Sequence, residues 1–146
     1  MPTLNYTTTK NVDATVGEIT KMLASGGVAS ISTMYSETGT ADGLGFTLRT
    51  PHGPREFQLR VNVDGVHALL ANDPKVRKRG PQYVLRAHAE RVAWRIVRDW
   101  LEAQLALIDA EMATLDQVML PYLVIDASGM TLYQRYVERE QAAISG

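Results

Sequence analysis

The chain has 146 residues, 45% of them apolar and 21% charged, with a net charge of −1. That length suits one domain with a substantial core, and the near-zero charge excludes a global basic field for nucleic acid. The absence of cysteine excludes disulfides, thiolate metal sites and thiol nucleophiles.

The opening MPTLNYTTTK lacks the basic start and apolar run of a signal peptide. No apolar run approaches the roughly eighteen residues a membrane span needs. The expected location is the cytoplasm. Leu4–Thr9 is threonine-rich and reads as a first strand. Thr15-Val16-Gly17-Glu18 has capping-box spacing. The helix it predicts carries Val16, Ile19, Met22 and Leu23 on one face and ends at Gly26-Gly27.

Three strands follow at hairpin spacing. Val28–Tyr35 alternates and runs into a turn over Ser36–Gly43. Leu44–Arg49 places Leu44, Phe46 and Leu48 on one face, and Pro51-His52-Gly53-Pro54 turns the chain. Glu56–Val63 has the clearest alternation, with Phe57, Leu59, Val61 and Val63 inward and Glu56, Gln58, Arg60 and Asn62 outward. An antiparallel sheet with one wet face follows from this pattern.

The second half is helical. Asp64–Ala71 predicts a short helix with Val66, Leu69 and Leu70 inward, stopped by Asn72-Asp73-Pro74. Lys75–Pro81 reads as a basic loop, and Gln82 to about Glu111 as one unbroken helix. Leu85, Val92, Ala93, Ile96, Val97, Trp100, Leu101, Leu105 and Ile108 give that helix a wide apolar surface, more than one sheet face needs. Thr114-Leu115-Asp116-Gln117 is a second capping box, opening a short helix through Tyr122. Thr131–Ala143 predicts a terminal helix with Leu132, Tyr133, Tyr136 and Val137 inward. The expected fold is a single α+β domain over residues 1–146 in the order βαβββααα.

Charge divides the long helix. Lys75, Arg77, Lys78, Arg79, Arg86, Arg91, Arg95 and Arg98 face one acid, Glu90, between positions 75 and 98. Asp99, Glu102, Asp109, Glu111 and Asp116 follow without a base. This polarity opposes the helix dipole and costs some tenths of a kcal/mol per charge. Packing or a partner must outweigh it.

No reaction chemistry emerges. His88-Ala89-Glu90 matches the H-x-E half of a zinc deaminase signature, but the cysteine half is missing, and the bland reading is a helix-surface histidine. His52, His67 and His88 lack metal-ligand spacing. Gly43-Leu44-Gly45 has no third glycine and no helix after it. Expected are no catalytic residue, no cofactor and no metal.

Binding has two readings. Lys75, Arg77, Lys78, Arg79, Arg86, Arg91 and Arg95 can form one surface that contacts the phosphates of a nucleic acid or a nucleotide, with Tyr83 and Trp94 as stacking faces. Alternatively the run is a solvated loop, Arg95–Asp99 and Arg98–Glu102 pair at i,i+4, and the tryptophans are core. The surplus apolar surface predicts a homo-oligomer.

Two resemblances bear on these readings. The αβββα succession from Val16 resembles a double-stranded-RNA-binding domain in outline, although Pro74 and a short helix precede the basic run. ERVAWRIVRDWLEAQLALI (Glu90 to Ile108) with TLDQVMLPY (Thr114 to Tyr122) resembles a family of small bacteriophage and prophage proteins of unknown function. That resemblance implies a phage accessory protein in the host cytoplasm and transfers no site residue. It implies either nucleic-acid handling, or binding of a host enzyme or defence component or sequestration of its nucleotide signal.

Overall fold

The computed structural model describes residues 3–145; Met1, Pro2 and Gly146, which fall within the expected single span of 1–146, lie outside it. The chain runs α1 (Val12–Ser25), β1 (Val28–Tyr35), β2 (Ala41–Thr50), β3 (Gly53–Arg60), α2 (Val63–Ala71), α3 (Pro74–Arg79), a 3-10 turn (Pro81–Val84), α4 (Arg86–Asp109), α5 (Leu115–Val118), a second 3-10 turn (Leu120–Tyr122) and α6 (Leu132–Ser145). The mixed helix and antiparallel-sheet fold is present, but a helix comes first.

The expected first strand is a turn. Asn5 has a left-handed φ of 62°, and Thr8 N–H donates to its carbonyl at 3.0 Å. Threonine content favours strands only where a neighbouring strand exists, and none lies alongside here. The first capping box is also displaced. Asn11 caps α1 by accepting from Ala14 N–H, while Thr15 is buried in the second turn. Glu18, which that box needed, instead reaches α4. Gly27 follows the helix at φ 90°, a conformation that costs glycine little.

The sheet order is β1-β2-β3, antiparallel throughout. Both neighbours of β2 are hairpin partners, so its inner row is the most enclosed. Ile31, Phe46 and Phe57 align across the three strands, and the two phenyl rings stack at 5.4 Å. On the opposite face, Gly43 is pressed close: a β-carbon there would meet Met34 Cε at 2.5 Å and the Leu59 carbonyl at 2.9 Å. Leu123 bridges to Phe57 at the free edge of β3, where Val124 N–H donates to the Glu56 carbonyl at 2.9 Å.

Ile19 and Leu23 of α1 and Ala89, Val92, Ala93, Trp94 and Leu101 of α4 join the inner sheet residues in one apolar cluster. Val63, Leu70 and Val76 extend it under α2 and α3. Trp94 is fully buried and donates from Nε1 to the Ala41 carbonyl at 3.0 Å. Leu69 is exposed rather than inward, because Val63 and Leu70 already occupy the α2 face that meets the core.

Further boundaries differ: β2 starts at Ala41 rather than Leu44, because it pairs with β1 through the expected turn, and β3 runs Gly53–Arg60 rather than Glu56–Val63. Lys75–Arg79 is helical, not loop: Asp73 caps it by accepting from Lys75 N–H at 3.0 Å, and Pro74 suits a first helical position. The long helix begins at Arg86, since Leu85 is extended (ψ 148°) and separates it from the 3-10 turn. The second capping box forms as expected between Thr114 and Gln117. Asp126 gathers the next turn by accepting from Ser128 and Met130, and Thr131 and Gln134 exchange hydrogen bonds at the start of α6. No residue of α6 is buried, and Tyr133 and Tyr136, expected inward, are 58% and 59% exposed.

Candidate phosphate-binding surface

Val76 fixes the orientation of α3. It is completely buried, so Lys75, Arg77, Lys78 and Arg79 are all turned to solvent. Arg77, Lys78 and Arg79 occupy the last turn of this helix. Cations there complement the partial negative charge of a helix C-terminus. The dipole penalty expected for these residues therefore vanishes, because they end one helix instead of starting another. Among the described residues, none of the four lies within 4.0 Å of a carboxylate oxygen.

Other expected members of the surface are differently placed. Arg86 meets Asp64 at 2.6 Å. Arg95 binds Glu18, and its side chain is only 15% exposed. It does not pair with Asp99 along the helix. Arg98 contacts Glu102 at 2.7 Å, Asp99 at 3.1 Å and Glu18 at 3.5 Å. Trp94 is unavailable for stacking because the core encloses it.

Tyr83 and Arg91 do come together, in a cleft of about 370 Å³ lined by Thr7, Thr8, Thr9, Asn11, Gln82 and His88 beside them. The wall formed by residues 3–11 has no regular structure, yet side chains pin it. Thr3 Oγ1 donates to Asp73 at 3.2 Å, and Asn5 Nδ2 donates to Asp99 at 2.8 Å. His88 Nε2 bonds the Tyr6 carbonyl. A carbonyl only accepts, so Nε2 carries the proton. Nδ1 is then the acceptor for Arg91 Nη2 at 3.2 Å. The histidine expected on the helix surface is thus a buried bracket between loop and helix.

Arg79 links patch and cleft. Its guanidinium lies 5.5 Å from the Tyr83 ring centre and 6.0 Å from that of Tyr6. Tyr83, then Tyr6, raises its pKa above the ordinary value. Burial would raise the Asp99 carboxyl, but hydrogen bonds from Asn5 and Arg98 outweigh that and hold it low. At Asp73 burial also acts upward, and the Lys75 amide and Thr3 overcome it.

Sequence reasoning missed Tyr6, Thr7–Thr9, Asn11 and His88 because it read their segment as a strand and His88 as surface. Asn11, three residues before Ala14, carried a readable signal as a helix cap. Among the described residues, no cluster of three or more His, Asp or Glu side chains is placed to hold a metal ion. No helix among them is long and apolar enough to cross a membrane. No protein-family model, curated protein or solved structure matches this chain.

Proposed function

We propose that this protein binds the phosphates of nucleic acid through α3 and the adjoining cleft, without catalysing a reaction. One observation carries the reading. Among the described residues, Lys75, Arg77, Lys78 and Arg79 stand together without acidic partners, whereas Arg86, Arg95 and Arg98 nearby are each neutralised. Four cations in five residues repel one another, and a row of phosphates relieves that repulsion. With a net charge of −1, the rest of the chain adds no attraction. Binding is therefore local, backbone-directed and indifferent to base sequence. The resemblance of the α4 motif to phage accessory proteins suits such a role in replication or recombination in the host cytoplasm.

The test is fluorescence anisotropy with labelled single-stranded and duplex oligonucleotides at several salt concentrations. Affinity for both should fall steeply with salt. Replacing Arg77, Lys78 and Arg79 with alanine should weaken binding by a similar factor for every sequence and flatten the slope by about 0.9 per lost duplex contact. No affinity for either form at low salt would overturn the reading.

A second reading, protein binding, rests on α6. Tyr133, Tyr136 and Ile144 are exposed there, the last at 86%. Arg135, Glu138, Arg139 and Glu140 alternate in sign, so two antiparallel copies can set arginine against glutamate. This favours a homodimer, which light scattering at micromolar concentration detects. An inhibitor of a host or defence protein would instead use this face for an association largely insensitive to salt.

A further inference from the structure

We infer that the Tyr83–Arg91 cleft takes one unstacked nucleotide, with its base on the Tyr83–Arg79 side and its phosphate on Arg91. This rests on the phosphate-binding reading and adds a preference for single strands over duplex.

Three features converge. Arg91, Arg95 and Arg98 follow one another along α4, yet they end differently. The lower two are neutralised by Glu18, Asp99 and Glu102. Arg91 has only the uncharged His88 Nδ1 as a partner and no carboxylate within 4.0 Å among the described residues. Its charge faces a cleft whose lining contains threonine, asparagine and glutamine but no acid. Such a lining suits an anion.

The second feature is aromatic. Tyr83 is half-buried, braced edge-on by His88 at 5.3 Å and by Tyr6 at 6.4 Å. A braced ring loses little entropy when a base stacks on it. Arg79 already lies over both tyrosines, so a guanidinium plane is also available to a base. A base paired within a duplex presents no free face, whereas an unpaired one does.

The third feature is construction. The loop walling the cleft is fixed by hydrogen bonds to Asp73, His88 and Asp99, from three separate points on the helical layer. Asn5 holds a left-handed backbone within it. Asparagine adopts that conformation at little cost, so the turn suits the residue that makes it. The cleft is therefore formed before any ligand arrives, which lowers the ordering cost of binding.

The experiment compares a single-stranded oligonucleotide, the matching duplex and a free nucleoside monophosphate against native protein, Tyr83→Leu and Arg91→Gln. Glutamine at 91 keeps a donor for His88 and removes the charge. Native protein should prefer the single strand to the duplex. Tyr83→Leu should lower single-strand affinity at least about fivefold, the low end for one stacked base, with its salt slope unchanged. Arg91→Gln should flatten that slope by about 0.7, one single-strand phosphate contact. Neither change should touch duplex binding, which the α3 cations carry. Binding of the free monophosphate that both variants weaken would identify a nucleotide ligand for the same cleft. Circular dichroism and thermal unfolding confirm that each variant folds; if Tyr83→Leu does not, Arg91→Gln decides. Equal affinity for both nucleic acids, unaltered by these substitutions, overturns the cleft proposal and leaves the α3 reading standing. No binding to any of the three probes at low salt overturns both.

Discussion

Helices α4 and α6 carry comparable amphipathic patterns and meet opposite fates. The first buries His88, Ala89, Val92, Ala93, Trp94 and Leu101 against the sheet, α1 and α2. The second has no fully buried residue, half-burying Leu132 and Val137 and leaving two tyrosines and an isoleucine in solvent. A 3.6-residue apolar period specifies which side chains share a face. It does not specify what covers that face. In α4 the cover comes from elements far away in the chain; in α6 the second 3-10 turn and its neighbours only half-bury Leu132 and Val137 and leave the tyrosines uncovered.

The largest expected effect draws this contrast directly. Trp94→Ala should cost about 3–5 kcal/mol, because it empties a packed site and strands the Ala41 carbonyl. Tyr136→Ala should change the stability of the monomer by no more than about 0.5 kcal/mol. Denaturant unfolding at low protein concentration measures both. Comparable losses at the two sites would mean that α6 is covered after all.

A smaller effect concerns how α4 is held to α1. Glu18→Gln removes the carboxylate shared by Arg95 and Arg98. Arg98 keeps Asp99 and Glu102, but Arg95 is left enclosed with only Thr15 nearby. Glu18 is 38% exposed, so solvent screens part of the loss. The expected cost is about 1–3 kcal/mol, between that of a surface pair and a buried one. No measurable change would make the contact incidental.

The smallest effect is local and depends on pH. Asp73 and Asp99 hold residues 3–11 against the helices, and both carboxyls titrate below their ordinary value. A depressed folded pKa contributes stability that is fully present above the unfolded value, near 4, and is lost as pH falls through the folded one. The loop should therefore loosen below about pH 4 while α4 stays packed. Amide exchange at Thr8 reports the loosening and exchange in α4 the core. Simultaneous loss of protection at both would show that the loop is no separate unit.

Much of this architecture is legible in the chain. Phe57 and Leu59 are buried, as the alternation of β3 requires, whereas the strand stops at Arg60, short of the expected Val63, and Val61 and Val63 are buried beyond it, the latter at the start of α2. The Thr114–Gln117 box, the Gly26-Gly27 stop and the extent of β1 match their sequence signals. Errors gather where a residue's partner is distant. LNYTTT reads as a strand on propensity but has no strand to pair with. Tyr133 and Tyr136 read as core but meet no core. For the candidate surface, the cluster of cations is visible in sequence and its helical state is not, although Asp73-Pro74 is a legible cap and first helical residue.

What the sequence determines by itself is local: strand alternation, helix caps, glycine stops and the concentration of positive charge between positions 75 and 98. Those features act over a few residues through backbone sterics and short hydrogen bonds, so their spacing records them. The tertiary structure alone decides which charges remain free. Glu18 reaches Arg95 across 77 positions, Asn5 reaches Asp99 across 94, and Thr3 reaches Asp73 across 70. Such contacts arise only after the core has brought the elements together, and no periodicity encodes them. They neutralise Arg95 and Arg98, build the wall beside Tyr83, and leave Arg91 and the α3 cations without an acidic partner among the described residues.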